Sequence, residues 1–415
     1  MIPFFCSHHE HNWYMAGGQY PGDRAQALRL RGVLDVLRHV HLRSATTRAG
    51  LARELGLSRG SATEIMARLR ALSLVEEGDA APGGGRGRPT RAVGPHPAGP
   101  LALTVDISYE RWRLAVAEVG GGLRMMAEER HPPGRHPAEV LARVSHAITE
   151  AREELGPRLA ALGVSVAGTV SEGRVVQAGS MGWRDVEVAR ALSLGPVPVV
   201  VGNDATLAGV TEARRGAARG AGTALYLTVE VGIGGVLLDQ GHPVSGGTGT
   251  GGEFGHVPFG DPERRCPCGA YGCWDQEVDG RALARLLGAP PPADPRLAAG
   301  EVLDRARRGD PEARAAAETV ARSLGRGIAG LVNALDPRIV TLAGLAATML
   351  EVAGPAVDRA YHGGLMSFRR DDPPPLVRSE FPQDGSLRGA ADLAFDAILS
   401  EAGLNAWREI LPATS

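Results

Sequence analysis

Four residues in one short stretch, His256, Cys266, Cys268 and Cys273, have the types and spacing of a metal centre. Three thiolates and an imidazole within 18 residues can close a tetrahedral shell around zinc, and Gly269 and Gly272 supply the turn that folds the ligands onto one ion. With every position taken by protein, such a zinc is expected to be structural rather than hydrolytic. The fourth cysteine, Cys6, stands alone, and three thiols this crowded do not suit a disulfide framework in a chain of 415 residues.

Composition narrows the rest. All 45 residues in the Lys+Arg total are arginine, so chemistries that need a lysine amine are closed, including Walker A phosphate loops and pyridoxal-phosphate Schiff bases. The length predicts two to three domains. At 43% hydrophobic and 22% charged residues the chain can bury a sizeable core, while 57 Gly and 29 Pro imply many turns and close backbone approaches. Aromatics at 4% are too scarce for base-stacking platforms of the single-strand-binding kind. No apolar run reaches the roughly 18 residues of a membrane span, and the first residues lack a basic segment followed by an apolar one. A cytoplasmic protein without a membrane partner is the expectation. Residues 1–22 read as an N-terminal extension.

The net charge of −2 hides an asymmetry: residues 1–97 carry 13 Arg against 8 acidic residues, a balance of +5 on an acidic remainder. A basic head on an acidic body points to nucleic acid as a partner of the head alone. In residues 23–97, Leu30, Val33, Leu34 and Leu37 recur at helical spacing. Leu51, Ala52 and Leu55 follow in a short helix closed by Gly56, and Ser58 is a good N-cap for a third helix with Ile65, Leu69 and Leu72 facing inward. Helix, tight glycine turn, helix is helix-turn-helix grammar, and the start of the third helix offers Arg59, Ser61, Thr63 and Glu64 to a major groove. After Val75 the glycines and prolines exclude helix, and two strands flanking a flexible loop make a wing whose Arg86 and Arg88 suit a minor groove.

A Pro/Gly hinge at 94–100 ends the head, and the texture becomes mixed α/β. Strands are expected at LALTVDIS, RWRLAVAEV, LAALGVSVAG and PVPVVVGND, then a second strand pair in TALYLTVEVGIGGVLLDQG and a further strand in RIVTLAGL. Helices are expected in the segment from Pro137 and near 280–287, 298–308 and 311–335. Two α/β halves with a cleft between them are the natural packing.

GGEFGH at 251–256 followed by CPCGAYGCWD at 266–275 resembles the signature of the ROK family, which groups bacterial sugar kinases with sugar-responsive repressors. GVSVAGTV (163–170), NDATLAGVTEAR (203–214) and GIAGLVNALDPRIVTLAGL (327–345) are similar to further family segments. The resemblance implies an α/β, actin-like (ribonuclease-H-like) two-lobed sugar-kinase fold preceded by the winged helix-turn-helix domain. The first lobe would span 98–210, completed by a C-terminal helix at 385–402, and the second lobe, with the zinc site, 211–384. It also implies a sugar site between the lobes. Asn203 and Asp204 would stand at a strand-to-helix junction, with Asp204 accepting a sugar hydroxyl or, in a kinase, acting as its general base. Glu253 would bind adjacent hydroxyls, His256 would share itself between zinc and sugar, and Asp275, which stands where the family usually has Glu, would make a further sugar contact.

The phosphate loops depart from the kinase pattern. Asp106-Ile107-Ser108-Tyr109-Glu110 replaces Asp-x-Gly-Gly-Thr, and Glu230-Val231-Gly232-Ile233-Gly234 replaces Gly-Thr-Gly-x-Gly. Two added carboxylates facing a triphosphate argue against ATP as a cofactor and against phosphoryl transfer, so no catalytic residue is assigned. The expectation is a sugar-responsive repressor, a homodimer or homotetramer on a palindromic operator, with an active hexose kinase carrying a DNA-binding head as the alternative.

Overall fold

A computed structural model describes residues 21–43, 46–78 and 91–411; the remaining residues, among them the N-terminal extension up to residue 20 and the wing residues Arg86 and Arg88, lie outside it. The head consists of α1 (Pro21–Leu42), β1 (Thr46–Thr47), α2 (Arg48–Glu54), α3 (Arg59–Ala71), β2 (Val75–Gly78) and β3 (Ala92–Pro95), with an antiparallel sheet ordered β1-β3-β2. Its caps are side-chain oxygens: Thr47 accepts from the Gly50 N–H and Ser58 from the Ser61 N–H, both at 3.0 Å. Gly56 turns between α2 and α3 at φ +62°. On α1 the fully buried stripe is Val33, Val36, Leu37 and Val40, while Leu30 and Leu34 are half-buried. The apolar face is therefore rotated from the expected one, because α1 packs on lobe 1 as well as on α3.

The first lobe opens with the meander β4 (Leu101–Ile107), β5 (Arg111–Glu118) and β6 (Leu123–Arg130), then α4 (Pro137–Leu155) and β7 (Leu159–Val166). A small antiparallel sheet follows, β8 (Thr169–Ser171), β9 (Arg174–Ala178) and β10 (Trp183–Val186), before α5 (Val188–Ala191), β11 (Val199–Asn203) and α6 (Asp204–Arg215). The main sheet is ordered β11-β7-β4-β5-β6, with β7 parallel to both β4 and β11.

The second lobe repeats this order. It contains β12 (Thr223–Glu230), β13 (Gly232–Asp239), β14 (His242–Pro243), α7 (Gly280–Leu286), α8 (Pro295–Arg307), α9 (Pro311–Leu335), β15 (Ile339–Gly344), α10 (Leu345–Gly364) and β16 (Leu376–Arg378). Its sheet runs β14-β13-β12-β15-β16, again a meander followed by parallel strands. This duplicated order is that of the ribonuclease-H-like fold. The sequence patterns missed β6, the small β8–β10 sheet and α10. The edge strand β6 is mostly exposed, so no strong alternation marks it.

The chain returns to lobe 1 through α11 (Gly385–Ile398) and α12 (Glu401–Ile410). The C-terminal helix expected at 385–402 is thus two helices, and Ser400, whose side chain accepts from the Gly403 N–H, restarts the second. α11 lies against β4 and β7 because glycine permits the approach: a Cβ on Gly163 would meet the Ala390 carbonyl oxygen at 2.0 Å. α6 packs on α11 through Gly389, where a Cβ would meet the Leu207 carbonyl oxygen at 2.1 Å. Its other side faces lobe 2, and Ala205, Ala208 and Val210 join Tyr226, Val236 and Leu238 in one cluster. The expected lobe boundary at 210/211 falls inside this unbroken helix.

Head and lobe 1 share an apolar core in which Val36, Leu37 and Leu69 meet Ala117, Ala161, Phe395 and Trp407. A buried polar joint adds to it. Asp392 on α11 accepts from His41 Nε2 at 3.0 Å and from Arg215 Nη2 at 2.7 Å, while the Gly120 N–H donates to His41 Nδ1. Burial lowers the His41 pKa, which keeps the ring neutral. Burial opposes ionisation of Asp392, yet hydrogen bonds from His41 and Arg215 hold its carboxyl well below the usual carboxylate range. No helix among the described residues is long and apolar enough to cross a membrane.

Trp407 is 2% exposed and its indole N–H donates to the Leu72 carbonyl at 2.9 Å. Trp407→Ala removes this clamp between α12 and the head and is expected to lower stability by about 3–5 kcal/mol in urea denaturation. A change under about 1 kcal/mol would show that α12 does not hold the head.

Candidate functional site

The centre of the site is the junction of β11 and α6. Asn203 is the N-cap of α6: its Oδ1 accepts from the Thr206 N–H at 2.9 Å, and its Nδ2 donates to the Gly168 carbonyl at 2.9 Å and to Asp204 Oδ1 at 3.0 Å. Asp204 Oδ1 also accepts from the Ala205 N–H at 2.9 Å. Both contacts fall on one oxygen, which leaves Oδ2 without a hydrogen bond among the described residues. Burial first, then repulsion from Asp106 and Glu230, pushes the Asp204 carboxyl up to about 7.

Two residues absent from the sequence-based assignment connect this junction to the glycine-rich segment of lobe 2. Gly168 accepts the Asn203 amide, and the hydroxyl of its neighbour Thr169 donates to Glu253 Oε1 at 2.6 Å. Their signals were position, just beyond the end of β7, and membership of the segment GVSVAGTV that resembles the family. Glu253 Oε2 lies 3.9 Å from His256 Nε2, so one chain of contacts runs from Asn203 through Gly168, Thr169 and Glu253 to His256. Gly252, at φ +101°, places this segment on β13, where a Cβ would meet the Gly235 carbonyl oxygen at 2.5 Å.

His256 faces two ways. Its Nδ1 lies 3.9 Å from Cys266 Sγ, while its Nε2 faces Glu253. His256, Cys266, Cys268 and Cys273 each offer an atom within 4.8 Å of the others. The Cys268 and Cys273 sulfurs are 3.7 Å apart, close to the roughly 3.8 Å edge of a tetrahedron with Zn–S bonds near 2.3 Å. The donor set therefore fits a tetrahedral soft-cation site. Asp275 is 9% exposed; its Oδ1 accepts from the Ile233 N–H at 2.6 Å and its Oδ2 lies 3.8 Å from His256 Nδ1. Gly255 makes room for it, since a Cβ there would meet Asp275 Oδ1 at 2.0 Å. Asp275 thus holds the turn after β12 and lies beside His256, and its hydrogen bonds do not reach Asn203 or Asp204.

The adjoining cleft, about 540 Å³, is lined by Asp106, Ser108, Arg113, Asp204, Glu230 and Arg296 among others. Its charges are matched internally. Asp106 accepts from Arg113 Nη2 at 2.9 Å, Ser165 at 2.9 Å and Ser386 at 2.8 Å. Arg296, on α8 of lobe 2, contacts Glu230 at 2.9 Å and Glu110 of lobe 1 at 3.9 Å. The Tyr109 hydroxyl donates across the cleft to the Ala293 carbonyl at 3.2 Å. Tyr109 and Glu110, where the sequence was compared with a phosphate loop, therefore make contacts to lobe 2 themselves.

In the head, Arg59, Ser61, Thr63 and Glu64 are all exposed at the start of α3. The Ser61 hydroxyl is 2.9 Å from that of Ser58, and the Thr63 hydroxyl donates to the Arg59 carbonyl. Glu77 on β2 lies 3.5 Å from Arg48 and 3.9 Å from Arg70, tying the base of the hairpin to α2 and α3.

A glucokinase of Streptomyces coelicolor is 26% identical over 312 residues, covering 71% of this chain and 98% of that enzyme. The xylose repressor of Bacillus subtilis is 25% identical over 313 residues, covering 74% of this chain and 80% of that protein. Among solved structures, a ROK family transcriptional regulator described as a homologue of the E. coli MLC protein superposes with a TM-score of 0.72 at 22% identity, covering 92% of this chain and 99% of that one. That superposition shows the shared fold. The ROK family model itself matches residues 103–397, well over half of the sequence, and the chain belongs to the ROK family.

Proposed function

We propose that this protein is a sugar-responsive, DNA-binding transcriptional regulator, a repressor, whose nucleotide cleft no longer serves phosphoryl transfer. The observation that carries the reading is the head: three helices and a three-stranded sheet, with the exposed start of α3 presenting Arg59, Ser61 and Thr63, in front of a ROK body. Arg86 and Arg88 would add wing contacts. The internally matched cleft supports the same reading. Magnesium-bound triphosphate would have to displace Arg113 from Asp106 and compete with Glu110 and Glu230 for Arg296.

In this mechanism a sugar binds between the lobes, with hydroxyls on Asn203, Asp204 and Glu253 and on His256 Nε2. Asp275, beside His256, fixes the turn after β12 through the Ile233 N–H. The ligand prefers one closure angle, and closure changes how the heads of a homo-oligomer are spaced over the two half-sites of a palindromic operator. Zinc held by His256, Cys266, Cys268 and Cys273 would supply the positive charge that gathers three thiolates and fixes the His256 ring. A cytoplasmic location accords with such a role. One observation favours the alternative, an active sugar kinase: a carboxyl with a pKa of about 7, as at Asp204, is also what a general base requires.

Calorimetry with a panel of hexoses, pentoses, N-acetyl sugars and their phosphates should identify a ligand, and Asp204→Asn should weaken it by roughly 10- to 100-fold while leaving operator affinity intact. Continuous sugar-dependent ADP release in a coupled assay would favour the kinase instead. Because the carboxylate form accepts the hydroxyl, sugar affinity should fall about tenfold per pH unit below 7 and level off above it; the same pH dependence in Asp204→Asn would sink that assignment. Metal analysis should find one zinc per chain, and Cys273→Ser should release it to a chromogenic chelator; full retention of zinc by that variant would rule out the four-ligand site.

A further inference from the structure

A second cavity, of about 590 Å³, lies at the seam between the head and lobe 1. Four guanidinium groups line it from three directions: Arg43 at the end of α1, Arg215 and Arg219 at and beyond the end of α6, and Arg388 on α11. Glu54 is the one carboxylate in the lining. Three of the arginines have carboxylate partners. Arg43 contacts Glu54 at 2.8 Å, Arg388 contacts Asp384 at 2.8 Å, and Arg215 is committed to Asp392 at 2.7 Å. Arg219 forms no ion pair among the described residues. Positive charge is therefore left over, and a concave wall of guanidinium groups concentrates it.

The walls keep the space open. The turn of Gly120, Gly121 and Gly122 forms one side, with positive φ at the first two, and a Cβ on Gly121 would meet Arg215 Nη1 at 2.5 Å. His39 adds a further donor nitrogen: its side chain is 9% exposed, and its Nε2, 3.3 Å from Glu54, lacks a well-angled hydrogen bond.

We propose that this cavity is a binding site for a small phosphate monoester, distinct from the sugar cleft. Guanidinium forks converging from several directions match the three terminal oxygens of a tetrahedral phosphoryl group better than the two of a planar carboxylate. The volume lies within the range that accommodates small metabolites. The ligand bridges Arg43 of the head and Arg219 of the body, so its occupancy bears on how the head is held. Phe381 lines both this cavity and the effector cleft, which places the two sites back to back across one ring.

The test is calorimetry on the full-length protein at constant ionic strength, with glycerol 3-phosphate, inorganic phosphate and glycerol as probes. Glycerol 3-phosphate should bind saturably at one site per chain, and glycerol should not bind. Arg219→Ala and Arg43→Ala, both at exposed side chains, should each weaken binding by about tenfold or more, whereas Asp204→Ala should leave it unchanged. Equally tight binding of inorganic phosphate, lost in the same two variants, supports the site and names the free ion as the ligand. The proposal is overturned by absence of saturation, or by binding that Asp204→Ala abolishes and Arg219→Ala does not. It is equally overturned if neither phosphate binds and Arg219→Ala instead flattens the salt dependence of operator binding, since the arginines then serve the DNA backbone.

Discussion

The packing of α6 between the two sheets is the constraint on which the rest of the molecule depends. One side lies on α11, at a distance only Gly389 allows, and the other lies on β12 and β13, where Gly209 meets Val236 and Tyr226. A helix gripped this closely moves as a body, because close-packed interiors transmit displacement rather than absorb it. At its N-terminus stand Asn203 and Asp204, facing the cleft. At its C-terminus Arg215 joins Asp392 and His41, the buried joint of head and lobe 1. Cleft and head are thus two ends of one twelve-residue element.

Electrostatics distinguishes the two halves of the cleft. At one end, arginines of the protein occupy the carboxylates: Arg113 on Asp106, and Arg296 shared by Glu230 and Glu110. At the β11–α6 junction Asp204 has no cationic partner among the described residues, and burial, then repulsion from Asp106, raises its pKa toward neutrality. A group poised in this way can accept a hydroxyl without a fully ionised, desolvated charge in the empty cleft. The same cleft therefore holds one carboxyl near neutrality at the β11–α6 junction, while its other carboxylates are engaged by arginines, one of them across the lobes.

Much of this was legible along the chain. The metal cluster is local, with ligands confined to 256–273, so residue type and spacing suffice to find it. Ser58 was recognisable as a cap because capping depends on the next three residues. The helices α7 and α9 matched their periodic patterns closely. What could not be read were the partners of single residues. Thr169 and Glu253 meet at a separation of 84 residues, and Asp106 and Ser386 at 280. The half-buried positions on α1 misled for a similar reason, since periodicity reports one packing face and α1 has two.

The sequence by itself determined most of the long helices and main strands, the His/Cys cluster at 256–273 and the polar junction at 203–204, because each is a property of neighbouring residues. Only the tertiary structure decided that Asp275 caps the Ile233 N–H beside His256, that Tyr109 and Glu110 reach across to lobe 2, and that α6 runs unbroken through the expected lobe boundary. It also gathered four arginines from three distant segments around one cavity. Such contacts form between residues brought together by strand order and glycine-permitted close approach, and neither leaves a periodic trace in the chain.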